Sequence, residues 1–222
     1  MSDDKVIVFE VFYGVSSPWA LLGAPRVEEI GKKYNLTVHL RPIVIIEANG
    51  GIPLRTRTEA RQDYHALDLA RCAKKLGVPM VPKPKYYPPP PGGISLAAQA
   101  IIRVQKMLGR GHPLALAFSY AIQRCIWIDE GNYCDIEVLK SLGRQVGLPE
   151  NVVDQAIIDR RGDPEDEGVK EWQQNLKDAE AIVGIFGTPN YVVNGEIFWG
   201  QDRLDFVEDR IKELLAAGYK AT

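Results

Sequence analysis

The sequence predicts a mixed α/β fold in which the two ends of the chain share a sheet and a long helical block separates them. Three observations carry this. Residues 6–13 form an apolar run, Val-Ile-Val-Phe-Glu-Val-Phe-Tyr, that leads through a short turn into a helical pattern. Residues 190–199 form two short apolar runs around Asn194-Gly195, a pair suited to a two-residue hairpin because both turn positions need positive φ. Between these ends, residues 58–182 show mostly helical spacing.

The elements follow in order. A strand over 6–13 is followed by a helix from Pro18 to about Tyr34, with Ala20, Leu21, Ala24, Val27 and Ile30 at helical spacing. Asn35 stops it, and residues 36–46 read as a second strand, parallel to the first by the handedness rule for βαβ units. Residues 47–51 (Glu-Ala-Asn-Gly-Gly) are a loop. A helix is expected over 58–76. Residues 78–93 then hold seven prolines, including Pro88 to Pro91, and read as an extended connector. Helices are expected over 96–108, 113–129, 136–146, 151–160 and 164–182. Asp135 and Gly147 serve as cap and stop of the third. The hairpin and a final helix beginning near Gly200 complete a β-α-β, helical block, β-β-α order. That is the order of a thioredoxin-like fold with an all-helical domain inserted between its βαβ and ββα halves: residues 1–57 and 183–222 for the former, 58–182 for the latter.

Composition limits function. The 222 residues carry a formal net charge of −2 with mixed signs, which gives no basic face for nucleic acid. No run approaches the roughly 20 apolar residues of a membrane span. The start, Met1-Ser2-Asp3-Asp4-Lys5, has no basic segment followed by an apolar one, so a cytoplasmic location is expected. Cys72, Cys125 and Cys134 form no Cys-x-x-Cys pair, and with His39, His65 and His112 they make no metal-spaced cluster. Buried free thiols and no metal are expected.

Four places could carry chemistry. Ser17-Pro18 opens the first helix, Pro18 suiting the first helical position and Ser17 the N-cap. The free N–H groups of such a turn attract an anion: phosphate, carboxylate or thiolate. A thioredoxin-like fold carries its reactive cysteine at this corner; here both positions of that motif, Ser17 and Ala20, lack sulfur. The second place is Thr188-Pro189, after the Gly-rich run Gly184-Ile185-Phe186-Gly187. A cis bond is expected there, with Thr188 offering its main chain to an extended ligand. The third is Gly200-Gln201-Asp202-Arg203, either a plain N-cap or a receiver for the charged end of an amino-acid group. The fourth is Arg61, an ordinary surface arginine or a partner for a carboxylate.

These segments together resemble the 2-hydroxychromene-2-carboxylate isomerase family and its kappa-class glutathione transferase relatives. The resemblance is carried by Ser17-Pro18-Trp19, Arg41-Pro42, Tyr64 with Leu67-Asp68-Leu69, Leu76-Gly77-Val78-Pro79, residues 184–189 and residues 198–204. It implies a DsbA-like fold, bound glutathione, a small aromatic carboxylate as substrate and a homodimer. It implies Ser17 as the catalytic residue, and glutathione contacts at Ser17, Thr188, Pro189, Gln201 and Asp202. Arg61 stands where the family has a lysine, and Asn49 matches a loop asparagine, although the loop is shorter here. The implied chemistry is reversible addition of the glutathione thiolate to an unsaturated carbon, rotation about the former double bond, and elimination. A kappa-type transferase using the same thiolate, or a non-redox binding module, are the other readings of these residues.

Overall fold

The computed structural model describes residues 5–90 and 92–221. The expected N-terminal lead of residues 1–4 and Pro91 of the proline run therefore lie outside the described residues. The fold is mixed α/β, built on one four-stranded sheet with a parallel pair at one side and a hairpin at the other. β1 (Phe9–Tyr13) runs parallel to β2 (Val38–Pro42) and antiparallel to β3 (Asn190–Val193), which pairs with β4 (Glu196–Trp199) across the hairpin. Asn194 and Gly195 take φ of 49° and 84°, as the two-residue turn requires. α1 (Pro18–Tyr34) joins β1 to β2. α2 (Glu59–Leu76), α3 (Gly93–Leu108), α4 (Pro113–Trp127), α5 (Ile136–Gln145), α6 (Glu150–Ala156) and α7 (Glu167–Lys177) lie between β2 and β3 in sequence, and α8 (Leu204–Ala216) follows β4.

Several boundaries differ from the sequence pattern. The first strand begins at Phe9 because Val8 is half exposed and its N–H is taken by the Asn194 side chain, while Val6 makes only an isolated bridge to Lys220. The second strand stops at Pro42, where the ladder loses a donor. The helix expected over 164–182 starts at Glu167, capped by Asp166, and its last turn, Asp178–Val183, is π-helical.

Strand alternation divides the interior. Phe9, Val11 and Tyr13 join the main core with α1, α3, α4 and α6, so the inserted helices share one hydrophobic cluster with the sheet. Phe12 points the other way, into a smaller cluster with Ile43, Ile46, Ala179, Ile185 and Val192. Glu10, His39 and Arg41 lie on that same second face. Arg41 donates to Asn175 Oδ1 and Glu10 Oε1, each at 2.9 Å, bonds Asp178, and stacks 4.5 Å over the Phe12 ring. His39 and Arg41 hold the Glu10 carboxyl below its ordinary value, against the burial that raises it. Burial also pushes Asp178 up, but hydrogen bonds from Arg41 and Gln174 outweigh it and its carboxyl lies low as well.

Arg41→Met should cost about 3 kcal/mol in urea unfolding at pH 7, because it removes the guanidinium shared by two mostly buried carboxylates and leaves Glu10 with His39 alone. The deficit should narrow as pH falls from about 5 to about 3 and both carboxyls take up protons. A deficit independent of pH would show that packing, not charge, is what Arg41 contributes.

Candidate functional site

The site forms where β1 ends. Tyr13 is the last residue of β1, and Gly14 turns the chain by accepting a hydrogen bond from Ser17 N at 2.9 Å. Ser17 is the N-cap of α1, with extended backbone (φ −75°, ψ 121°) and its Oγ accepting from Ala20 N at 3.3 Å. Pro18 stands in the first turn, which carries no acidic residue. The positive end of the α1 dipole is therefore not offset by a carboxylate in its own first turn.

Thr188 reaches this corner from the other half of the fold. The Thr188-Pro189 bond is cis. Gly14 measures how closely the two halves approach: a Cβ there would lie 3.3 Å from Thr188 Oγ1 and 3.5 Å from Ser17 Cβ. Ser17 and Thr188 thus flank one small cradle floored by a residue without a side chain. Gly200 N donates to Pro189 O at 2.9 Å, which ties the following turn to the same loop. That turn, Gln201–Arg203, packs Gln201 against Gly23 of α1, 3.2 Å from where a Cβ would stand. Asp202 is exposed and pairs with Arg203 at 2.8 Å; its charge also reaches the Cys72 thiol on α2, which burial and nearby carboxylates hold above its ordinary value. Trp199 lies 52% exposed, its ring edge-on to Phe186 with centroids 4.8 Å apart. Its indole covers Gly187, where a Cβ would stand 2.6 Å from Nε1.

The structure thus brings Ser17, Thr188, Pro189 and the Gln201–Asp202 turn to one end of α1. Arg61 lies exposed on α2, one turn before His65. Asn49 is placed differently: its amide nitrogen bonds main-chain carbonyls of residues 179, 180 and 185, beneath the loop that carries Thr188. Behind the corner, a cavity of about 40 Å³ lies between α1, α4 and the sheet, lined by Tyr13, Ala20, Gln123, Pro189 and Tyr191 among others. Its size suits a water or two.

Two supports of the site carry no sequence signal. Trp127 Nε1 donates to Ser16 O at 3.1 Å and anchors the turn from below. Trp19 Nε1 donates to His65 Nε2 at 2.9 Å, tying α1 to α2 beside the cap. This bond occupies the His65 lone pair, so His65 is not a base for Ser17. Burial and the Arg57 charge lower the His65 pKa and favour its neutral form. Among the described residues, no group of three or more side chains is arranged to hold a metal ion, and no helix is long and apolar enough to cross a membrane.

A helix N-cap facing a cis-proline loop at the end of a central strand defines a thioredoxin-fold protein. The chain belongs to the DSBA-like thioredoxin domain family, whose model matches residues 8–212. It is 24% identical over 204 residues to a 2-hydroxychromene-2-carboxylate isomerase of Sphingobium xenophagum, covering 90% of this chain and 95% of that protein. A solved 2-hydroxychromene-2-carboxylate isomerase superposes with a TM-score of 0.70 at 18% identity, covering 95% of this chain and 97% of that one. A cytosolic disulfide reductase, DsbM of Pseudomonas aeruginosa solved with GSH, superposes with a TM-score of 0.61 at 17% identity over 92% and 98% of the two chains.

His65 should remain neutral in the folded protein to below its ordinary pKa of about 6.5. The Trp19 indole N–H resonance should then shift with a midpoint under that value as protonation removes the acceptor. An indole signal unchanged from pH 7.5 to 4.5 would overturn the Trp19–His65 bond.

Proposed function

We propose that the protein is a glutathione-dependent isomerase acting on 2-hydroxychromene-2-carboxylate or a similar aromatic carboxylate. The observation that carries the reading is the close approach of Ser17 and Thr188 around Gly14, at a helix end with no carboxylate in its first turn. The isomerase name shared by the relatives at nearly full length supports the substrate class, and the structural neighbour DsbM, solved with GSH, supports the cofactor.

Glutathione, when bound here, would supply nucleophilic thiolate chemistry toward an unsaturated carbon of the substrate. The chain's own residues do the rest. The α1 N-terminus favours the ionised thiol by the electrostatics that lower cysteine pKa at helix ends. Ser17 Oγ donates its proton to the sulfur while still accepting from Ala20 N. Thr188 presents its main-chain N–H and C=O to the peptide backbone of the cofactor as an added strand would. Gln201 and Asp202 meet its amino-acid end, the carboxylate pairing with the ammonium. Arg61 supplies a carboxylate partner from α2. The same site would serve a kappa-type transferase, and substrate alone separates the two.

The test is turnover of the chromene acid with and without glutathione, alongside thiolate absorbance near 240 nm. Turnover should require glutathione without consuming it. Ser17→Ala should lower the bound thiolate fraction at neutral pH by roughly threefold to tenfold, the loss of one charge-assisted hydrogen bond. Turnover that is indifferent to glutathione, or no binding at millimolar concentration, would sink the reading.

A further inference from the structure

The loop that carries Thr188 is unusual in how it is held. It leaves a π-helical turn, Asp178–Val183, passes through Gly184 in the left-handed region (φ 73°), and enters β3 at Asn190. The end of a helix leaves carbonyls without helical donors, and a wider π turn has no regular continuation to supply them. Here part of the supply comes from another element. Asn49 Nδ2 lies 2.9 Å from Ile185 O, 3.0 Å from Glu180 O and 3.4 Å from Ala179 O. Ala179 O also accepts from the backbone N–H groups of Gly184 and Ile185. One side-chain amide therefore joins the last turn of the helix to the first residues of the loop.

The chain around Asn49 is built for that contact. Residues 47–49 form a 3-10 turn closed by Gly50 at φ 82°, with Asn49 N donating to Ile46 O at 3.2 Å. Ile46 itself is buried in the small cluster with Ala179 and Ile185, so its position is fixed against the same segment. Gly51 lies so close to the Phe186 and Ile46 carbonyls that any Cβ there would collide with both. The 47–51 turn thus touches the loop on both sides of Ile185, by hydrogen bonds from Asn49 and by close approach at Gly51.

We infer that Asn49 is a positioning residue: it sets the course of residues 184–188, and through them the main chain of Thr188, by bridging the π-helical turn to the loop. This departs from a direct glutathione contact through its amide nitrogen, because that nitrogen has two hydrogens and both are directed at these carbonyls. The consequence for glutathione rests on the proposed function; the consequence for the loop does not.

Amide hydrogen exchange in the free protein tests it. Asn49→Asp keeps the shape, removes both donors and turns a carboxylate toward three carbonyl oxygens. Exchange across residues 184–193 should speed up about tenfold or more, with α3 and α8 unchanged. Gly51→Ala, which pushes the Phe186 carbonyl from the other side, should loosen the same segment and serves if the first variant does not fold. Glutathione titration by calorimetry supplies the second arm. Asn49→Asp should weaken affinity about tenfold, while the thiolate fraction of the glutathione that does bind stays as in the parent. Parent-like exchange in Asn49→Asp would overturn the inference whatever Gly51→Ala does. Weakened affinity with parent-like exchange would overturn it in favour of direct contact. Absence of glutathione binding by the parent would count against the proposed function alone, and the exchange arm would still decide the role of Asn49.

Discussion

The structure depends on β1 being hydrogen-bonded along both edges. Its parallel partner β2 fixes the path of α1, since the connection leaves the C-terminal end of β1 and has to cross back to the opposite end of the sheet, where β2 starts at Val38 beside Phe9. Its antiparallel partner β3 pairs Phe9 with Val193 and Phe12 with Asn190, so β3 begins where β1 ends. Residues just before Asn190 therefore have to lie beside residues just after Phe12. Ser17 and Thr188, far apart in the chain, meet because of strand register rather than any attraction between them.

That register alone would leave residues 184–188 poorly determined. They lie between a helix and a strand and contain two glycines. The second face of the sheet supplies the missing constraint. Phe12, Ile43 and Ile46 make an apolar patch on which Ala179 and Ile185 close, and Arg41 holds Asp178 at the start of the π-helical turn. Arg41 is suited to this because its planar fork reaches Glu10, Asn175 and Asp178 at once while its flat face lies on Phe12. The loop is thus clamped from the face opposite the one that carries the main core.

The sequence shows some of this and hides the rest for physical reasons. Ser17-Pro18, Asn194-Gly195 and Asp135 are legible because a cap or a tight turn constrains residue type locally. The overall order of elements is legible because periodicity records which face is buried. Strand ends are less so: Val6 and Val8 have strand-like composition, but Asn194 takes the Val8 N–H that a ladder would use. The π-helical turn is hidden because its side-chain spacing over six residues is too short to distinguish from an α-helix. The Trp19–His65 bond and the partners of Arg41 are long-range pairings, and nothing next to them in sequence marks them. Asn49 shows the limit most plainly. Its presence in a turn is readable, but where its amide points depends on carbonyls about 130 residues away.

None of the three cysteines stands where a thiolate is favoured. Cys125 is buried with its thiol pushed up to about 11 by desolvation and the Asp129 charge, and burial raises Cys134 as well. Cys72 stands nearer the site, yet burial and the Asp68 and Asp202 carboxylates disfavour its thiolate too. All three lie in the inserted helices and their connections, and all three are shifted away from reactivity. The helix end that would stabilise a thiolate carries Ser17, and the positions that carry thiols disfavour ionisation. Any sulfur chemistry at this corner would thus draw on a thiol other than these three, which is the place the proposed function gives to glutathione.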